Sequence, residues 1–171
     1  MVGGTAFSLR TKKGKRAFDY IILRVPLIGI LVKEINSART TRTLASLLSA
    51  GVDYVIAVTI TREVLQNSYY KEVLAKAEIV IQKGDPISKV FLEREDLYPT
   101  FVGEMASVGE ETGKLGEMLL GVAVFYEDEV DQKTKDMSTI IEPFLMVFIG
   151  IVVGFFAISI LAPTYSLVDK I

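Results

Sequence analysis

The sequence predicts an all-α fold, an antiparallel bundle of about six helices whose last member continues into a C-terminal transmembrane helix. Three features point to it. Apolar side chains recur at helical spacing along most of the chain. No stretch reads convincingly as a strand. Residues 140–161, IIEPFLMVFIGIVVGFFAISIL, are apolar on nearly every side.

Residues 1–17 hold Gly3, Gly4 and Gly14 beside Lys12, Lys13, Lys15 and Arg16, with no apolar period. They read as a flexible basic lead-in, either drawn to anionic headgroups or simply solvated. The bundle is expected over residues 18–139. Phe18 to Arg24 is a short apolar helix ended by Pro26, because proline denies the helical conformation to the residue before it. A longer helix runs from Ile28 to Ala50, with Leu31, Ile35, Ala38, Ala45 and Leu48 on one stripe and Gly51 as its stop. Asp53 caps a helix reaching Leu65.

From Ser68 to Lys83, the residues Tyr70, Val73, Leu74, Ala77, Val80 and Ile81 form the apolar face of an amphipathic helix. Gly84, Asp85 and Pro86 make a turn with a fresh cap and a proline at the first helical position, opening a short helix through Phe91. Pro99 opens the next, with Phe101, Val102, Met105 and Val108 facing inward until Gly109 to Gly113 breaks the period. From Leu115, the positions Met118, Leu119, Val122, Tyr126 and Val130 keep helical spacing with no stop before the apolar run. Bundle and anchor therefore share one helix, about 70 Å long if unbroken.

The apolar run, expected as a transmembrane helix over residues 140–162 with a short tail over 163–171, covers about 33 Å, enough for a hydrocarbon core of about 30 Å. Lys133 and Lys135 precede it and only Lys170 follows, which places the N-terminal side in the cytoplasm. Glu142 and Pro143 stand at its mouth, where a carboxylate reaches the headgroups and the proline withholds a donor from the Thr139 carbonyl. Pro143 either sets the angle of the anchor or is a tolerated proline near a helix start. Gly150 and Gly154 form a small-xxx-small face open to a second membrane helix, or belong to the ordinary glycine content of such helices.

The chain has no histidine and no cysteine, which removes the usual neutral-pH base, the commonest zinc ligand and any disulfide framework. A net charge of −2 and no basic stretch interleaved with aromatics disfavour nucleic acid as a partner. The run GEETGKLG from Gly109 lacks the spacing of a phosphate-binding loop. It reads as a sharp connection between antiparallel helices, with glycines at positive φ. Glu127 and Asp131 share a helix face, but one face offers a hard cation too few oxygens. Glu110 and Glu111 are adjacent, with nothing to divide their pKa values. No catalytic or metal constellation and no cofactor are expected.

The motif series RVPLIGILVKEINSARTTRTLASLLSAGV, YPTFVGEMASVGEETGKLGEML, FYEDEV, IIEPFLMVFIGIVVGFFA and Pro163 resembles the F-type inner-membrane platform proteins of type II secretion and type IV pilus machines. The resemblance runs from about residue 10 to the end. It implies a six-helix cytoplasmic bundle on a bacterial inner-membrane helix, a scaffold rather than an enzyme. It further implies contact with a cytoplasmic assembly ATPase, with pilins or pseudopilins and with other inner-membrane components, in a homo-oligomer. By motif match, Gly109, Glu110, Glu111, Thr112 and Gly113 occupy the signature loop, and Glu142, Pro143, Gly150 and Gly154 the membrane-mouth and packing positions. Members of that family carry two such bundles and three membrane helices. This chain resembles the second bundle and the last helix, with residues 1–8 like a stub of an earlier one. A membrane-anchored, carboxylate-dependent metal enzyme and a generic membrane adaptor are the alternatives.

Overall fold

The computed structural model describes residues 12–25 and 28–168; for 12–15, 17, 18, 137–142, 144 and 159–168 it describes the backbone alone. The helices are α1 (Lys12–Arg24), α2 (Ile28–Ser49), α3 (Tyr54–Val64), α4 (Ser68–Gln82), α5 (Ile87–Leu92), α6 (Thr100–Thr112) and α7 (Leu115–Val168). No strand occurs among the described residues, so the all-α expectation holds. The chain divides into two compact units, Met1–Val130 and Asp131–Ile171, and α7 supplies residues to both.

In the first unit α1 begins at Lys12 rather than Phe18, so the basic cluster Lys12 to Arg16 is helical. Its fixed point is Asp19, which is 8% exposed. Oδ2 of Asp19 accepts from the Ser68 backbone N–H at 2.9 Å and from the Ser68 hydroxyl at 2.7 Å, so a carboxylate on α1 satisfies an orphan donor at the start of α4. Asn67 caps the same helix locally, accepting from Tyr69 N–H at 3.0 Å. Asp53 caps α3 as its sequence predicts, taking the N–H groups of Val55 and Ile56 at 3.0 and 3.2 Å.

Helix α2 departs most from its predicted face. Ala38 and Ala45 are buried, but they share the interior with Asn36, Ser37, Thr40 and Thr41, whereas Leu31, Ile35 and Leu48 are half-buried. Helix geometry makes this tolerable: the hydroxyls of Thr40 and Thr41 donate to the carbonyls of Asn36 and Ser37 one turn back, at 2.7 and 2.8 Å. With its proton given to Asn36, the Thr40 oxygen is left to accept from the Tyr98 hydroxyl at 3.0 Å. Tyr98 is fully buried at the centre of an aromatic cluster, its ring 5.0 Å from Tyr70 and 4.8 Å from Phe91. The Tyr70 hydroxyl donates to the Leu97 carbonyl at 2.7 Å. Both phenols are pushed above the ordinary tyrosine value, chiefly by burial, and so remain donors.

Helix α4 buries Tyr70, Val73, Leu74 and Ala77, as its period requires. Helix α6 buries Val102 and packs Met105 against the core as predicted, but it also turns Gly103, Ala106 and Gly109 inward and leaves Phe101 and Val108 37% and 46% exposed. The small residues decide this, because they let α6 approach α5 closely. A Cβ on Gly103 would stand 2.6 Å from Leu92 Cδ2 and 3.2 Å from its backbone nitrogen.

In the second unit the helix runs through Pro143 without interruption and past Pro163 to Val168, beyond the predicted end at residue 162. The large apolar side chains described from Leu145 to Ile158 are all at least 38% exposed, around every side of the helix. Among the described residues no helix is long and apolar enough to cross a membrane. Residues 140–142 and 159–162, the ends of the predicted span, lie outside the described side chains.

Replacing Gly103 by Ala forces the Leu92 contact apart and is expected to lower stability by about 1–3 kcal/mol, read as an earlier urea midpoint. An unchanged midpoint would mean that the α5–α6 approach is loose.

Candidate functional site

The segment Gly109–Gly113, which the sequence presents as a loop, is for the most part the last turn of α6. Only Gly113 leaves the helix, at φ +69°, as a left-handed cap. The Lys114 N–H returns to the Gly109 carbonyl at 2.8 Å and the Gly113 N–H to the Glu110 carbonyl at 3.4 Å, the paired closure of a Schellman turn. Glycine is needed at 113 for its φ and at 109 for space, since a Cβ there would lie 2.7 Å from the Leu115 Cα.

Helical geometry separates the two glutamates that lie adjacent in sequence. Glu111 and Thr112 face solvent; Glu111 accepts from the Ser107 hydroxyl at 3.5 Å and the Thr112 hydroxyl donates to the Val108 carbonyl at 2.7 Å. Glu110 turns inward and meets the N-terminus of α5. Its Oε1 accepts from Ile87 N–H at 2.7 Å and from the Tyr54 hydroxyl at 3.1 Å, and Oε2 accepts from Ser88 N–H at 3.2 Å. Pro86, the residue before α5, has no side-chain cap to offer, and Asp85, expected as the cap, does not serve. Glu110 therefore caps a helix other than its own and joins α3, α5 and α6 at one carboxylate. Its negative charge lies where the exposed N–H groups of α5 are positive.

Burial and the neighbouring Glu110 carboxylate push the Tyr54 phenol well above its ordinary value, which keeps it a hydrogen-bond donor. Tyr54 and Glu110 line two clefts. One, of about 530 Å³, is also bounded by Leu48, Val52, Gly113, Leu115 and Gly116. The other, of about 310 Å³, is bounded by Ile81, Gly84, Asp85 and Pro86. The sequence did not single out Tyr54 as part of the site. The readable signal was α5 itself, a short helix after a proline with no Ser, Thr, Asp or Asn immediately before it, which must find its cap elsewhere.

With both oxygens engaged by fixed donors, Glu110 is badly placed to shuttle protons. Glu127 is likewise engaged: Arg42 Nε donates to it at 2.8 Å, tying α2 to α7, and the guanidinium holds its carboxyl below the usual range. No group of three or more metal-ligating side chains occurs among the described residues. Of the positions expected at the membrane mouth, the Glu142 side chain lies outside the described residues, and Pro143 is exposed within α7. A Cβ added at Gly150 or Gly154 would meet nothing within 4 Å.

Glu110→Ala strands two amide donors of α5 and the Tyr54 hydroxyl, and is expected to destabilise the chain by about 2–3 kcal/mol. Tyr54→Phe, which leaves the amides capped, should cost about 1 kcal/mol. Hydrogen exchange checks the cause: the Ile87 and Ser88 amides should lose protection in the first variant and keep it in the second. Equal protection in both would remove the capping role.

A family model for the type II secretion system (T2SS) protein F matches residues 40–163. The type IV pilus assembly protein PilC of Thermus thermophilus is 38% identical over 161 residues, which are 94% of this chain and 40% of that protein. PilC of Myxococcus xanthus is 34% identical, over 96% of this chain and 39% of its own length. The type II secretion system protein F of Pseudomonas aeruginosa is 32% identical, over 96% and 40%. The chain thus spans about two fifths of the length of these curated relatives. The Gly109–Gly113 turn and the apolar run up to Pro163 both lie inside the matched region, and the chain belongs to the type II secretion system protein F family.

Proposed function

We propose that the chain is a non-catalytic inner-membrane platform component of a bacterial type II secretion or type IV pilus assembly machine. In this reading residues 18–139 are a cytoplasmic bundle, 140–162 cross the membrane and 163–171 form a short extracytoplasmic tail. The bundle receives the motion of a cytoplasmic assembly ATPase, and the membrane helix passes it to the insertion of pilins or pseudopilins beside other inner-membrane components. The observation that carries the reading is the family match over residues 40–163, which runs from α2 into the apolar part of α7.

The second unit supports the membrane assignment. Exposed large apolar side chains on every side of one helix, from Leu145 to Ile158, are unfavourable in water and ordinary among lipid tails. The open face at Gly150 and Gly154 supports association of copies through membrane helices. No observation favours the metal-enzyme reading, because the Glu110 oxygens that it would use are committed to α3 and α5.

Co-purification from intact membranes tests the assignment: the machine's ATPase or its pilins should accompany the tagged chain, and their absence after cross-linking would count against it. The chain should stay in the pellet after alkaline carbonate washing; release into the supernatant would sink the anchor. Gly150→Leu with Gly154→Leu is expected to reduce self-cross-linking in the membrane several-fold, and unchanged cross-linking would make those glycines incidental. Pro143→Ala should lower filament output or secretion while leaving membrane retention intact; unaltered output would remove its role in setting the anchor.

A further inference from the structure

The outer side of the α6–α7 pair carries an exposed apolar strip that the platform reading does not use. Along α6, Phe101 and Val108 are 37% and 46% exposed. Glu104 and Glu111, each three residues further on, form a second exposed row beside them. Along α7, Phe125 is 48% exposed and stands on one face with Gly121 and the half-buried Met118; Glu117 and Asp128 stand outside it, on a row that also holds the exposed Val124. The two apolar rows meet. The rings of Phe101 and Phe125 lie 5.3 Å apart, and at the other end Gly109 admits Leu115 and Met118 against α6. Across the pair the order is acid, apolar, apolar, acid.

The charge is segregated as well. The whole chain is nearly balanced, with 19 basic and 21 acidic residues, yet Lys114 is the one cation in the sequence from Pro99 to Val130, and it pairs with Glu117 at 3.5 Å. We propose that this apolar strip receives a basic amphipathic helix of a partner protein. Apolar side chains of that helix at i, i+3 or i+4 and i+7 pack over the paired rings of Phe101 and Phe125, and its flanking Lys and Arg reach Glu104, Glu111 and Asp128. The carboxylate rims select this occupant. A second copy docking the same face in a two-fold contact sets acidic rows against acidic rows, and an anionic membrane surface repels them. The inference concerns the chemistry that this face accepts and does not depend on which machine the chain serves.

The test uses the full chain in zwitterionic nanodiscs and two fluorescein-labelled peptides of about 18 residues, roughly five helical turns. Both carry the same leucine stripe; one is flanked by Lys and Arg, the other by Glu. Fluorescence anisotropy should show the basic peptide binding at least about tenfold more tightly than the acidic one, and more weakly as salt rises. Combining Glu104→Lys with Asp128→Lys should weaken it about tenfold or more, whereas Glu95→Lys, on another exposed surface, should not. Phe125→Ser should weaken it with helical circular dichroism retained, and Val108→Ser takes its place if that variant loses its fold. No binding, equal affinity for the two peptides, or full affinity in the charge-reversed variant overturns the proposal. So does a shift of the unliganded chain from dimer to monomer on Phe125→Ser, since a second copy would then be the occupant.

Discussion

The bundle depends on one carboxylate. Helix α5 is six residues long, too short to hold its own first turn in water, and it starts after a proline that supplies no cap. Glu110 completes it from α6 and also takes the Tyr54 hydroxyl from α3. The elements thus joined flank the aromatic cluster of Tyr70, Phe91 and Tyr98, so the packing of the interior and the placing of the α6–α7 turn share one polar contact. Asp19 acts similarly between α1 and α4. In both cases a charge that a core would exclude is kept because fixed backbone donors surround it.

Much of the architecture was legible from the sequence, and the exceptions share a cause. The amphipathic period of α4 and the cap at Asp53 follow from local chemistry, and both hold. The faces of α2 and α6 follow from tertiary approach. Thr40 and Thr41 enter the interior because their hydroxyls can bond one turn back, and Gly103 and Gly109 enter because they allow backbones to close. A stripe of large apolar residues predicts neither, and on α6 it selected the partly exposed Phe101 and Val108 along with the buried Val102 and the core-packed Met105.

At the candidate site, glycines flanking Glu110 and Glu111 suggested a loop. Two features hid the truth: Gly109 is retained for space rather than for its backbone angle, and the donors that Glu110 satisfies lie 22 and 23 residues away in sequence. In the first unit the segment forms a joint between α3, α5 and α6.

The Schellman turn at Gly113 also constrains how this hairpin can vary in length. Its two arms are indexed to each other at Gly109 against Leu115 and at Phe101 against Phe125. An inserted residue between them would rotate everything downstream by about 100°. Phe125 would swing off Phe101 and Glu127 off Arg42 together, so a change of length in this tight reversal breaks contacts along both arms at once.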